Sequence, residues 1–124
     1  MSQDPVGMEL SSREPIRKYS LLIALGGNLA SSVGAPQETL KSALKLLQTS
    51  GAVIRATSAF YHTPAFPAGA GPDYVNAAAR LEAPWDPAKA LGVLHRIEAQ
   101  LGRERVQRWG QRTLDLDLLA CNDI

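Results

Sequence analysis

The chain has 124 residues, 45% of them hydrophobic, with 13 Lys+Arg against 12 Asp+Glu and a single Cys. That length supports one domain with its own core, and one Cys excludes a disulfide framework or a Cys-rich zinc module. A formal net charge of +1 excludes a globally basic nucleic-acid coat, and the longest strongly apolar run, residues 21–25, falls far short of the ~20 residues of a membrane helix.

Residues 1–19 mix Ser, Pro, Gly and both charge signs without hydrophobic periodicity, so they are expected to form a disordered leader ahead of a domain at 20–124. They lack the apolar h-region of a secretory signal, and a cytoplasmic protein is expected. The run 21–25 reads as a central strand. Gly26, Gly27 and Asn28 stop it and read as a strand-ending turn, matching neither a dinucleotide fingerprint nor a phosphate loop. Pro36 opens a helix in which Leu40, Ala43, Leu44 and Leu47 recur at helical spacing, with Gly51 as its stop. Residues 53–61 are rich in β-branched, small and aromatic side chains and read as one strand, followed by a Pro- and Gly-dense loop over 63–72.

Residues 74–82 alternate. Val75, Ala77, Ala79 and Leu81 point one way, and Tyr74, Asn76, Ala78 and Arg80 the other. Asp86-Pro87 starts a second helix whose buried stripe is Leu91, Leu94, Ile97 and Leu101, ended by Gly102. Residues 114–120 form a last strand, with Leu114, Leu116 and Leu118 on one face and Asp115 and Asp117 on the other. The order β-α-β-β-α-β predicts an α+β, ferredoxin-like fold: an antiparallel four-stranded sheet with two helices on one face.

The densest chemical signal lies between Gly102 and Asp117. Four of the nine Arg residues fall at 103, 105, 108 and 112, and Asp115 and Asp117 follow at once. Arg forks pair with phosphate oxygens, and Mg²⁺ is typically held by one or two carboxylates plus substrate phosphates. Residues i and i+2 of a strand share a face, so the two Asp converge on one site or on two metals ~3.5–4 Å apart. Taken alone, each half is also compatible with a solvated strand face or a basic loop. Trp109 serves equally to pin that loop or to stack on a base. Tyr74 and Asn76, sharing the strand face away from the helices, suggest a slot for a flat heterocycle, the ring stacking and the amide bonding its edge. On the second helix, His95 reads as a surface residue, and Glu98 either orients a basic group or makes a helical ion pair. Cys121, without a His or second Cys placed to activate it, reads as structural.

Together these residues resemble the 6-hydroxymethyl-7,8-dihydropterin pyrophosphokinase family of the folate pathway. The resemblance runs from about Leu21 to the C-terminus. It rests on Ala24-Leu25-Gly26-Gly27-Asn28, Ser58-Ala59-Phe60-Tyr61-His62-Thr63-Pro64, Asp73-Tyr74-Val75-Asn76, Ile97-Glu98, Gly102-Arg103 with Arg105, and above all Arg108-Trp109-Gly110-Gln111-Arg112-Thr113-Leu114-Asp115-Leu116-Asp117. It implies the same ferredoxin-like fold and transfer of diphosphate from ATP to the pterin hydroxymethyl group, leaving AMP. It also implies two Mg²⁺ ions on Asp115 and Asp117, with Arg103 and Arg112 joining them in catalysis. Tyr74 and Asn76, lined by Thr63, Pro64 and Phe66, are expected to take the pterin. His95, Glu98, Arg105, Arg108, Trp109 and Arg112 are expected to face ATP. The sequence departs from the family pattern at Gly27, where Ser is usual, and at Gln111, where Pro is usual. The family is also expected to carry a further C-terminal segment with a His, an Arg and an aromatic, which a domain at 20–124 lacks.

The partners expected are therefore small molecules, without membrane or nucleic acid, around a monomer. Two other readings stay open: an inactive relative that keeps the fold and partial ligand binding, or a ferredoxin-like nucleic-acid module that stacks bases on its sheet. Against the last, aromatics are 6% of the chain, and two adjacent Asp repel a phosphate backbone.

Overall fold

The computed structural model describes residues 17–28, 30, 33–64, 73–102 and 113–123. In chain order the elements are β1 (Tyr19–Gly27), α1 (Pro36–Thr49), β2 (Val53–Thr57), β3 (Tyr61–Thr63), β4 (Tyr74–Ala83), α2 (Pro87–Leu101) and β5 (Asp115–Asp123). All strand pairings are antiparallel, in the order β2-β4-β1-β5, with β3 also paired to β4. The helices come where the sequence places them. Pro36, whose missing N–H would be an orphan anyway, opens α1, and Asp86 caps α2 by accepting the Lys89 N–H at 2.9 Å. Gly51 closes α1 at φ +120°, a left-handed conformation that L side chains rarely adopt, and the next N–H, of Ala52, returns to the Leu47 carbonyl at 3.0 Å.

Alternation along the two central strands makes the sheet two-faced. Leu21, Ile23 and Leu25 of β1 and Val75, Ala77, Ala79 and Leu81 of β4 are buried under the helices, where they meet Leu40, Ala43 and Leu47 of α1 and Val93, Leu94 and Ile97 of α2. Each fully buried Leu or Ile removes enough apolar surface from water to contribute about 1.5–3 kcal/mol. The opposite face carries Ala24 and Gly26 of β1, Tyr74, Asn76 and Ala78 of β4, and Asp115 and Asp117 of β5, none of them buried.

Three expectations need correction. The first strand does not stop before Gly26: both Gly26 and Gly27 lie inside β1, Gly26 opposite Asn76 on one side and Asp115 on the other. Partners on both flanks hold Gly26 in the ladder, and Gly27 is held by Val75 of β4. Leu91 is not part of the α2 stripe, being 43% exposed, and its place is taken by Ala90 and Val93. Among the described residues the sheet has five strands rather than four, because the segment expected as one strand over 53–61 is interrupted. Ser58 is the cause. Its backbone N–H donates to the Ala78 carbonyl at 2.8 Å, but the returning Ala78 N–H goes to the Ser58 hydroxyl at 2.9 Å rather than to a ladder carbonyl. The side chain substitutes for the backbone, pairing lapses through Phe60, and it resumes as β3.

Ser58→Ala removes that acceptor and leaves the Ala78 N–H without it. A loss of about 1 kcal/mol in urea unfolding is expected, with hydrogen exchange accelerated at Ala78 ahead of the β1–β4 ladder.

Candidate active site

The sheet's register builds the site. Reading across the face away from the helices, Tyr61, Asn76, Gly26 and Asp115 form one row over β3, β4, β1 and β5. The neighbouring rows hold Thr63 beside Tyr74, and Ala78, Ala24 and Asp117. Ala24, Gly26, Tyr74, Asn76, Asp115 and Asp117 line a cleft of about 110 Å³. The sequence-derived heterocycle residues and the acidic pair therefore share one site, separated by the single strand β1. Ala24, Gly26 and Tyr61 are not among the site residues expected from the sequence, where Gly26 reads as part of a strand-ending turn.

On the β4 side, the Asn76 amide is held. Its Nδ2 donates to Thr63 Oγ1 at 2.9 Å, so the amide nitrogen faces β3 and the carbonyl oxygen Oδ1 faces β1. Thr63 and Pro64 are exposed at the end of β3, while Tyr74 and Asn76 are half-buried. Phe66, expected beside them, lies outside the described residues. So do Arg103, Arg105, Arg108, Trp109, Gln111 and Arg112.

On the β5 side, Asp115 and Asp117 are both exposed. No ion pair among the described residues involves either carboxylate. Behind them stands Glu98 of α2, whose Oε2 accepts the Leu116 N–H at 2.7 Å. Among the described residues β5 is an edge strand, so alternate N–H groups along it have no described strand to pair with. Glu98 takes the one that lies between the two Asp, tying α2 to the strand that presents them. Burial pushes the Glu98 carboxyl above its usual range. The Leu116 N–H opposes that shift, Asp115 reinforces it, His95 opposes it and Asp117 reinforces it. His95 itself is exposed, one turn before Glu98, and outside the cleft lining.

Among the described residues no cluster of three or more His, Cys, Asp or Glu surrounds a metal position. Two exposed carboxylates on one strand face suit a hard cation that completes its shell with water and substrate phosphate oxygens, as Mg²⁺ does, and do not suit zinc, which takes three or four protein ligands. The donor set thus fits the cation expected from the sequence.

Glu98 yields a pH signature. A carboxyl whose folded value is raised holds its proton more tightly folded than unfolded. Its contribution is therefore fully present below the unfolded value and is lost as pH rises through the folded value. In metal-free protein, stability should fall as pH rises from the unfolded carboxyl value through the raised folded one, and Glu98→Gln should flatten that slope in urea midpoints measured at successive pH values. Gln keeps an acceptor for the Leu116 N–H, so Glu98→Ala should be the more destabilising of the two at neutral pH, by about 1–2 kcal/mol.

The chain was compared with known proteins. Residues 22–123 match the family model described as 7,8-dihydro-6-hydroxymethylpterin-pyrophosphokinase. Among curated proteins, a 2-amino-4-hydroxy-6-hydroxymethyldihydropteridine pyrophosphokinase of Haemophilus influenzae is 47% identical over 78% of this chain and 59% of its own length. Proteins of the same name from Synechocystis and Pseudomonas putida are 34% and 40% identical, over 88% and 87% of this chain and 54% and 84% of their own lengths. The chain thus spans under two thirds of the Haemophilus and Synechocystis proteins. With the family model matching most of its length and the Asp-x-Asp strand, Tyr74 and Asn76 meeting in one cleft, the chain belongs to the 7,8-dihydro-6-hydroxymethylpterin-pyrophosphokinase family.

Proposed function

We propose that this chain transfers the β,γ-diphosphate of ATP to the hydroxymethyl oxygen of 6-hydroxymethyl-7,8-dihydropterin, as a step in folate synthesis. The oxygen attacks the β-phosphorus, the bond from that phosphorus to the α,β-bridging oxygen breaks, AMP leaves, and the hydroxyl proton is released. The observation that supports this best is the row Asn76–Gly26–Asp115, which puts an amide suited to a heterocycle edge one strand away from an acidic pair suited to a phosphate-bound cation.

The chain's own groups supply recognition and positioning. The Tyr74 ring offers a stacking face, and Asn76, steadied by Thr63, presents Oδ1 as acceptor for a ring N–H or amino group. Pro64 and Phe66 complete the pterin side in this reading. Asp115 and Asp117 would hold two Mg²⁺ ions, which when bound would neutralise the charge of the phosphate oxygens. Arg103, Arg105, Arg108 and Arg112 pair with phosphate oxygens, Trp109 packs on the nucleotide, and His95 and Glu98 border the ATP side from α2. Transfer of this kind depends on alignment and charge neutralisation more than on a covalent intermediate, and this inventory matches that demand. We place the protein in the cytoplasm as a monomer, where ATP and a readily oxidised dihydropterin coexist. No helix among the described residues is long and apolar enough to cross a membrane.

The decisive assay is AMP release. With Mg²⁺, ATP and the hydroxymethyl dihydropterin, the chain should form AMP, whereas the 6-methyl analogue, which lacks the attacking oxygen, should bind without AMP release. Asp115→Asn and Asp117→Asn should each lower kcat/KM by about a hundredfold or more while pterin affinity changes less than about threefold. Binding of both ligands without any AMP would contradict the proposal for this chain and favour an inactive relative.

A further inference from the structure

Gly26 sits at the centre of the site, opposite Asn76 on β4 and Asp115 on β5. It is not needed for a left-handed turn, because it lies inside β1 and is not among the positive-φ glycines, Gly34 and Gly51. What it lacks is a side chain. A Cβ built there would stand 2.9 Å from Asn76 Oδ1, closer than real Cβ contacts come, while the nearest backbone atom, the Val75 carbonyl oxygen, is 3.7 Å away. Among the described residues the close obstruction is thus the far end of one amide, and that amide is pinned at its other end by the 2.9 Å bond to Thr63. Asn76 lies across the sheet with its nitrogen over β3 and its oxygen over the bare backbone of β1.

We infer that Gly26 is a positioning residue for heterocycle recognition: its missing side chain admits Asn76 Oδ1 and thereby sets which edge of a ring can bond there. This deepens, and rests on, the pterin reading proposed above. An Ala at this position can be accommodated by the backbone, so its effect falls on the amide rather than on the fold. The amide must swing away from β1, which breaks or bends the Thr63 bond and withdraws the acceptor. The cation side is spared, because no Asp115 atom is among the near neighbours of that Cβ.

The test compares Gly26→Ala, Asn76→Ala and their double mutant by titration with 6-hydroxymethyl-7,8-dihydropterin and, separately, with a non-hydrolysable ATP analogue plus Mg²⁺. Gly26→Ala should weaken pterin binding by about tenfold or more, leave the ATP analogue within about twofold, and add nothing in the Asn76→Ala background. Thr63→Val, which releases the same amide from its other end, should reproduce the selective loss and keeps the test informative if Gly26→Ala folds poorly. Equal losses for both ligands, or additive losses in the double mutant, would overturn the inference. A ligand-free readout separates it from the functional proposal. The Asn76 side-chain amide resonances should shift in Gly26→Ala protein whether or not pterin binds, and unchanged resonances would overturn the inference. If the wild-type chain binds no pterin, the proposed function fails, and the amide comparison still decides whether Gly26 controls Asn76.

Discussion

Strand β1 is hydrogen-bonded along both flanks, to β4 on one side and β5 on the other, and the lining of the cleft depends on that double pairing. Its buried face, Leu21, Ile23 and Leu25, anchors the core beneath both helices. Because side chains alternate strictly, seating those three residues inward forces Ala24 and Gly26 outward. Slipping β1 by one residue against either partner would bury the wrong face. The register that stabilises the core is therefore the register that sets Asn76 opposite Gly26 and Asp115 opposite the same glycine.

The small side chains on β1 turn a flat sheet into a site. Ala24 and Gly26 add almost nothing above the backbone, while the flanking strands raise an aromatic and an amide on one side and two carboxylates on the other. The cleft is the difference in height between them. Its two walls are braced separately: Thr63 fixes the Asn76 amide from β3, and Glu98 fixes the strand backbone between the two Asp from α2. Both braces come from elements outside the central ladder, and each consists of a single short hydrogen bond. The braces share no residue, so under the proposed function the heterocycle wall and the cation wall are held independently.

Much of this was legible in the chain itself. The clean alternation of residues 74–82 announced a two-faced strand and named the residues on its polar side. The Asp-Leu-Asp spacing put both carboxylates on one face before any coordinates did. The misread parts share a physical reason: they concern groups whose role depends on a partner strand. Gly26 and Gly27 carry turn propensity in isolation, and only pairing with β4, and for Gly26 with β5 as well, converts them to strand. Ser58 looks like any strand residue until its hydroxyl takes the N–H that a carbonyl would have taken. Leu91 follows the helical period yet exceeds the width of the face that the sheet can cover, leaving Ala90 and Val93 to fill it. From the sequence Glu98 orients a basic group or makes a helical ion pair, whereas its bond to the Leu116 N–H arises because β5 is a sheet edge among the described residues, which no local pattern reports. The Arg-rich segment, the strongest chemical signal in the sequence, lies outside the described residues, so its part in the site stands on residue chemistry.

Asn76 and the Asp115–Asp117 pair stand one strand apart across Gly26, and the proposed function places the heterocycle at the first and the cation at the second. Paramagnetic relaxation measures that directly. Mn²⁺ added in place of Mg²⁺ should broaden the Gly26 backbone amide and the Asn76 side-chain amide more strongly than any resonance of α1, and the broadening should vanish in an Asp115→Asn, Asp117→Asn double variant. Broadening that spares Gly26 and Asn76, or that persists without the two carboxylates, would contradict it.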